Sequence, residues 1–172
     1  STAAKTKDES TVIPIEVATV ERGSVRASYS GTAALEAQDD AQVVALLIYA
    51  DRRHEARAMI ETSTKKRLAA QIEPDGRQPQ ELQRTRAWSY SVMNLDGWFT
   101  LARLAEQVGI DLWHYRTRDG RSIQAALDYL VPFADRTKKW PYAQITPFDP
   151  NGLVGLLRQA AVVWKADRYA AL

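Results

Sequence analysis

The spacing of apolar side chains changes once along the chain, near residue 40. Between residues 12 and 36, β-branched residues partly alternate with polar ones around a turn-like Glu21-Arg22-Gly23, which indicates a β-hairpin. From about residue 40 onward, apolar residues recur at intervals of three and four, which is typical of amphipathic helices. The pattern therefore predicts a mainly α-helical chain of antiparallel helices with a short N-terminal β-hairpin.

The helical part divides at turn-forming residues and prolines. Residues 40–70 are predicted to form two helices, or one helix bent near Asp51, and a long helix should run from Pro79 to about Val108. Loops are predicted at residues 111–120 and 135–150, with helices at 121–134 and after Asn151 as a cap. We accordingly divide the chain into a polar, disordered tail (residues 1–10), a hairpin segment (11–38) and a helical domain (39–172).

Polar side chains form a row on the predicted central helix. Arg86, Tyr90 and Asn94 lie four residues apart and share one face, and Gln83 joins it seven residues before Tyr90. Arg84 would lie about 240° around the same helix from Tyr90, at roughly 100° per residue. Such a donor-rich row suits an acidic ligand, although a packed tyrosine beside an ion-paired arginine would give the same pattern.

Other residues with chemical potential lie outside this helix. Trp113 and Tyr115, in the 111–120 loop, are predicted either to be stacking platforms for a ligand or to form a hydrophobic lid. The basic run at residues 65–67 either ends a solvated helix or lines a groove. His54 and His114 are predicted to be surface or structural histidines.

The composition indicates a globular domain and gives no reason to expect a nucleic-acid-binding or membrane-spanning protein. The 172 residues are 45% hydrophobic and 26% charged, which is typical of a globular domain, and the net charge of +2 gives no reason to expect nucleic-acid binding. Cysteine is absent, and no apolar run approaches the roughly 20 residues that a membrane span needs. No ligand spacing, phosphate-binding loop or nucleophile elbow is visible, so neither a metal nor a cofactor is expected.

Several separate blocks of the helical part resemble the alginate-lyase superfamily of polysaccharide lyases. The resemblance covers residues 45–172 and implies a partial (α/α) toroid acting on an acidic polysaccharide substrate by β-elimination. It also implies catalytic roles for Tyr90 and for Arg84 or Arg86. On this interpretation the other polar residues of the row, Gln83 and Asn94, and the loop residues Trp113 and Tyr115 are the predicted substrate-binding residues. The blocks are residues 69–76 (AAQIEPDG), 78–79 (QP), 81–82 (EL), 84–86 (RTR), 89–91 (SYS), 94–95 (NL), 109–113 (GIDLW), 119–122 (DGRS), 126–128 (ALD) and 140–142 (WPY).

The implied reaction needs three chemical functions. A donor must neutralise the uronate carboxylate, a base must take the C5 proton, and an acid must protonate the leaving oxygen at C4. Arginine offers a permanent cation with a fork of donors for the carboxylate, and a tyrosine hydroxyl can transfer the proton. Lyases of this kind also carry an upstream Asn-Asn-His block, which this chain lacks, so the sequence predicts slow or absent turnover by this chain alone.

The N-terminal segment resembles a different family from the helical part. Residues 12–45 resemble the start of periplasmic adaptor subunits of efflux pumps. Three functions therefore stay open: a lyase domain, a degenerate lyase fragment that only binds glycan, and an adaptor remnant. We expect a periplasmic or secreted location for the lyase-like protein. We also expect self-association of the incomplete toroid, because an incomplete ring leaves apolar helix faces uncovered.

Overall fold

The structure, a computed structural model, describes residues 33–170 of the chain. The predicted tail and most of the predicted hairpin lie outside these residues. Residues 33–38, which our division placed in the hairpin segment, form the first turns of a helix instead. In the described range the chain forms helices α1 (Ala33–Tyr49), α2 (Arg53–Met59), α3 (Lys65–Gln71), α4 (Pro79–Leu82), α5 (Ala87–Glu106), α6 (Ile123–Ala134) and α7 (Val154–Val163).

The mainly helical prediction is confirmed. Between residues 33 and 170 the structure contains an isolated antiparallel bridge, between Arg86 and Gln144, but no named β-strand. Short 3₁₀ turns at Pro150–Leu153 and Asp167–Tyr169 precede and follow α7. None of the helices in this range is long and apolar enough to cross a lipid bilayer.

The helices of residues 33–71 change direction once, at the predicted position. Asp51 adopts a left-handed backbone with φ of 57°, so α1 ends and α2 begins a few residues later. The residues Ile60–Thr64 then form a π-helical segment that joins α2 directly to α3. A buried strip runs along this continuous helix through Ala56, Ile60, Thr64 and Leu68.

The prediction of one long helix from Pro79 to Val108 is wrong, because the structure has two helices in this range. Helix α4 ends at Leu82, and α5 begins only at Ala87. The chain between them pairs with the distant 135–149 loop, where Ala87 N–H donates to the Ala143 carbonyl and Ile145 N–H donates to the Thr85 carbonyl, both at 3.0 Å. These contacts lie more than 50 residues away in sequence, so local periodicity could not reveal the break.

Helix α5 is the centre of the core. Its residues Leu95, Trp98, Phe99 and Ala102 are fully buried, because neighbouring helices cover most of its surface. Helix α1 lies close along it: a Cβ added at Gly97 would be 3.1 Å from Ala37 Cβ. Helix α5 is thus fixed by its packing, and the polar residues singled out above lie on its N-terminal half or just before it.

Side chains also fix the ends of α6 and α7. The Ser122 hydroxyl caps α6 by accepting a hydrogen bond from Ala125 N–H at 3.1 Å. Our assignment of Asn151 as the last helix cap is wrong, since the Asp149 carboxylate accepts from Asn151 N–H at 2.9 Å. The 3₁₀ turn that Asp149 caps then leads into α7.

Candidate active site

Tyr90 and Arg84 are in direct contact. The Arg84 guanidinium carbon lies 3.7 Å from the centroid of the Tyr90 ring, and both side chains are half-buried. The prediction that Arg84 lies on the far side of the helix from Tyr90 is wrong, because α4 ends at Leu82 and Arg84 belongs to the connecting segment. The two-helix break therefore brings the cation onto the ring.

Arg86 takes a different position although it is only two residues away. It is exposed and occupies the N-cap position of α5, where its carbonyl accepts a hydrogen bond from Tyr90 N–H at 3.0 Å. In the described part of the chain its guanidinium has no ion-pair partner. Arg86 is therefore accessible near the start of α5, but it is Arg84 that contacts the tyrosine ring.

Asn94 is not part of an open row with Tyr90. It is fully buried, and its amide nitrogen donates to the Gln78 side-chain oxygen at 2.8 Å. Gln78 in turn donates to the Ser91 carbonyl at 3.3 Å. The prediction that Asn94 shares an open face with Arg86 and Tyr90 is wrong. Helix α4 packs against the first half of α5 and covers this face at Asn94. A substrate-binding role for Asn94 needs an accessible amide, which this arrangement does not provide.

Gln83 is exposed and lines a small cleft of about 270 Å³ together with Arg77 and Tyr142. Arg77 is ion-paired there with Asp75 at 2.7 Å and Glu73 at 3.0 Å, and these pairs raise the pKa of the guanidinium. Gln83 is therefore accessible, but it lies next to a cation whose charge is already compensated, and neither Tyr90 nor Asn94 lines this cleft.

The two aromatic residues of the 111–120 loop are packed inward. Trp113 is 3% exposed, its indole N–H donates to Glu106 at 2.7 Å, and its ring contacts Phe99 and Trp164 edge to face. Tyr115 is half-buried, with the Lys65 ammonium 5.0 Å from its ring centroid. For Trp113 the burial agrees with the hydrophobic-lid alternative, since sugar stacking requires an exposed ring face.

A glutamine that the sequence analysis did not single out organises the start of α5. The Gln144 side-chain oxygen accepts from Trp88 N–H at 3.1 Å, and its amide donates to Ser89 at 3.2 Å and to Thr146 at 2.9 Å. Trp88 is anchored again through its indole N–H, which donates to the Asp149 carbonyl at 2.8 Å. Gln144 thus satisfies an otherwise free donor of the first helical turn, immediately before Tyr90.

A larger cleft lies on the 135–149 loop. It has a volume of about 480 Å³ and combines basic with aromatic side chains. In the sequence the signal for this cleft is the run Lys138-Lys139-Trp140, whose place in a predicted loop does not indicate a cleft. Its lining includes Arg136, Lys138, Lys139, Trp140, Tyr142 and Gln144.

The histidines and carboxylates give no further site. His114 is exposed and its Nδ1 lies 2.7 Å from Asp111, while His54 lies exposed on α2. Neither histidine hydrogen-bonds to Arg84 or Tyr90. Over residues 33–170 no group of three or more histidine, cysteine, aspartate or glutamate residues could hold a metal ion. Of the basic run at residues 65–67, Arg67 is committed to ion pairs with Asp40 and Glu36.

An all-helical domain with an arginine–tyrosine pair at one end of its central helix fits a class of polysaccharide lyases, and the comparisons with known proteins agree. The family model for alginate lyase matches residues 36–140, and the chain belongs to this family. It is similar to the crystal structure of an alginate lyase from Bacteroides ovatus, with 35% sequence identity and a TM-score of 0.76. That match covers 82% of this chain but only 38% of the other chain. No curated protein matches the sequence.

The resemblance to an efflux adaptor has no support. The alginate-lyase match begins at residue 36, inside the range of 12–45 that we compared with adaptor subunits. Helix α1 occupies the end of that range and packs on the central helix of the lyase-like fold. The remaining adaptor-like residues lie outside those that the structure describes.

Proposed function

We propose that this chain supplies the arginine–tyrosine part of a site that acts on a uronate-containing polysaccharide by β-elimination. The observation that carries the proposal is the Arg84 guanidinium lying 3.7 Å from the ring centroid of Tyr90, at a half-exposed helix start. A guanidinium that stacks on a ring still has N–H groups at its edge, which can bind a carboxylate with two parallel hydrogen bonds.

Each residue has a distinct task in the proposed reaction. The C5–H bond breaks, its electrons form the C4–C5 double bond, and the bond from C4 to the glycosidic oxygen breaks. Arg84 would bind the carboxylate attached to C5 and so stabilise the negative charge that develops as the proton leaves. The Tyr90 hydroxyl makes no hydrogen bond within residues 33–170. As the phenolate it would take the C5 proton and then give that proton to the glycosidic oxygen as it leaves C4, so that Tyr90 ends the step in its starting form. We include a periplasmic or secreted location in this proposal, because a protein outside the cytoplasm would encounter polymeric acidic glycans.

A second function, binding of the polymer without turnover, is favoured by one observation. The two histidines of the chain have no hydrogen bond to the pair, and His114 is engaged with Asp111. Arg84 would serve this function as well, as a carboxylate-binding residue, whereas Tyr90 would contribute only its ring.

The test compares four proteins: the wild type, Tyr90→Phe, Arg84→Gln and Arg86→Gln. Turnover is followed by the ultraviolet absorbance of the unsaturated uronate product, with alginate, polymannuronate and polyglucuronate offered in turn, and affinity is measured by calorimetry. Tyr90→Phe should lower turnover by at least about 100-fold with nearly unchanged affinity, because only proton transfer is lost. Arg84→Gln should weaken binding roughly tenfold, as expected for one charge-assisted contact.

Arg86→Gln is the matched control, since it removes the same charge two residues away without touching the Tyr90 ring. Binding that depends on Arg84 more than on Arg86, without any product, would select the second function. Equal affinity of wild type, Arg84→Gln and Arg86→Gln for every uronate polymer would contradict both functions.

A further inference from the structure

We propose that the larger cleft on the 135–149 loop binds a second uronate unit of the same polysaccharide chain, apart from the Arg84–Tyr90 pair. This proposal rests on the proposed function, because it takes the same polymer as the occupant. Lys138 and Lys139 would bind the sugar carboxylate, and the rings of Trp140 and Tyr142 would contact the face of the sugar.

The cleft carries positive charge that its own surroundings leave uncompensated. Arg136, Lys138 and Lys139 are exposed, and within residues 33–170 none of them forms an ion pair. The nearest carboxylate in sequence, Asp135, is engaged in the turn, where it accepts from Thr137 N–H at 2.8 Å and from the Thr137 hydroxyl at 2.6 Å. These hydrogen bonds lower the pKa of Asp135 and keep its carboxylate directed at the turn.

The neighbouring small cleft provides a contrast within the same molecule. Its cation, Arg77, is neutralised by Asp75 and Glu73. The cations of the larger cleft have no ion-pair partner within residues 33–170, whereas the cation of the small cleft has two. The larger cleft is therefore the one of the two that can bind an anion. Cations near the C-terminal end of α6 also suit the helix dipole, but that effect alone does not account for the aromatic floor.

The floor of the cleft is a rigid aromatic surface. The Trp140 ring packs edge to face against Phe133, with centroids 5.0 Å apart, and against Tyr142 at 5.1 Å. The Tyr142 hydroxyl is fixed as well, 3.0 Å from that of Tyr129. Ring surfaces beside cations match a uronate, which presents C–H groups on its face and a carboxylate at its edge. The volume of about 480 Å³ lies within the roughly 300–1,000 Å³ typical of ligand pockets.

The loop backbone is ordered before any ligand arrives. The Pro132 carbonyl accepts from Lys138 N–H at 2.7 Å and from the Thr137 hydroxyl at 3.1 Å. Arg136 turns the chain at the end of α6 with φ of 63°. Because these bonds already fix the backbone at Thr137 and Lys138, ligand binding has little backbone entropy to lose there.

Gln144 connects this cleft to the start of α5, and Tyr142 connects it to the small cleft. Gln144 lines the cleft and also hydrogen-bonds to Ser89, the residue before Tyr90. Tyr142 lines both this cleft and the small one that Gln83 lines. The two clefts therefore share a wall near the start of α5. We expect a long oligomer to contact both the larger cleft and the Arg84–Tyr90 pair, whereas a single uronate can occupy only one of them.

The experiment measures affinity by calorimetry for glucuronate and for alginate oligomers of two and six sugars. The proteins are the wild type, the double variant Lys138→Gln/Lys139→Gln and the control Arg118→Gln/Arg158→Gln. The control removes two exposed cations that lie outside this cleft. We expect the lysine double variant to lose roughly tenfold or more in affinity for the hexamer, while the control changes by less than about threefold. The loss should be smaller for the dimer.

Three outcomes would overturn the inference. Unchanged hexamer affinity of the lysine double variant, together with weaker binding by Arg84→Gln, would reject the cleft and leave the proposed function intact. No binding of any uronate oligomer by the wild type would reject both. The third outcome is a lack of selectivity for uronate. Inorganic phosphate would displace the hexamer at equal charge concentration, or the lysine double variant would lose as much affinity for neutral cello-hexaose as for the hexamer, and either result would show that the cleft is not a uronate site. The lysines are exposed, so thermal unfolding of the double variant should match the wild type.

Discussion

At the scale of single residues, Gly76 lies at a position that leaves no room for a side chain. It ends the turn after α3 with φ of 87°, and an added Cβ would lie 2.0 Å from the Ala125 carbonyl oxygen and 2.9 Å from Tyr129 Cβ. The first of these neighbours is backbone of α6 and cannot move aside as a flexible side chain would. Gly155 in α7 is the opposite case, since an added Cβ there meets nothing within 4 Å.

We predict that Gly76→Ala lowers the free energy of unfolding by about 3 kcal/mol or more, because both backbone strain and a steric overlap are introduced. Gly155→Ala should leave it unchanged or raise it by up to about 1 kcal/mol, since alanine favours the helix. Denaturant unfolding of both variants checks this pair. A stability loss of Gly76→Ala no greater than that of Gly155→Ala would contradict the packing of the turn on α6.

The residues of the site were only partly predictable from the sequence. The family resemblance identified Tyr90 and left Arg84 and Arg86 open, and the Arg84–Tyr90 contact became visible only in the structure. Helical spacing grouped Asn94 with Tyr90 correctly along one helix, but spacing cannot show which part of a face another helix covers. Gln144 escaped notice because its partners, Trp88 and Ser89, are 56 and 55 residues away.

At the scale of elements, α1 is joined to the continuous α2–α3 helix by a buried carboxylate. Asp40 is 4% exposed and accepts hydrogen bonds from Arg67 at 3.0 Å and from Thr64 at 3.2 Å. Burial raises the pKa of Asp40 above its ordinary value of 3.8, although Arg67 acts in the opposite direction. The folded state therefore binds a proton at Asp40 more readily than the unfolded state does.

This linkage predicts a pH-dependent contribution to stability. Because the pKa of Asp40 is raised on folding, its contribution to the free energy of unfolding increases as the pH falls through the folded-state pKa, and is complete below about 3.8. The difference in stability between the wild type and Asp40→Asn should thus shift in favour of the wild type between pH 7 and pH 4. Urea unfolding across this range, with the exposed neighbour Asp39→Asn as control, measures it. A flat difference would show that Asp40 titrates alike in both states.

Element types were more predictable than element boundaries. The Pro79 start and the break near Asp51 were recognised because proline and turn residues act locally. The end of α4 was missed because it depends on hydrogen bonds from residues 143 and 145. The sequence around residues 83–86 contains no glycine or proline that would mark the break.

At the scale of the whole molecule, one face of α1 is open. Leu46 and Tyr49 are 66% and 91% exposed, and Val43 lies on the same side at 44%. The alginate lyase to which this chain is similar is much longer, since the match spans 38% of it. Exposed apolar patches of this kind promote association, so self-association of this chain stays a prediction.

We predict that the wild-type chain forms concentration-dependent oligomers and that Leu46→Glu shifts them toward monomer, because a charge would have to be buried in the contact. Sedimentation velocity over a concentration series measures the effect. Val162→Glu is the matched control, since Val162 is 78% exposed on α7. A wild-type chain that stays monomeric throughout the series, or an equal response to both substitutions, would contradict the role of this face.

The π-helical segment Ile60–Thr64 explains how one strip of side chains stays buried over residues 56–68. The strip repeats every four residues, and in an α-helix a four-residue step overshoots a full turn by about 40°. The wider π turn takes back part of this rotation, so Thr64 and Leu68 return to the side of Ala56. Removing one residue from the segment would restore a regular helix but rotate everything after it by about 100°. Leu68 would then leave the core, so the fold fixes the number of residues in this segment.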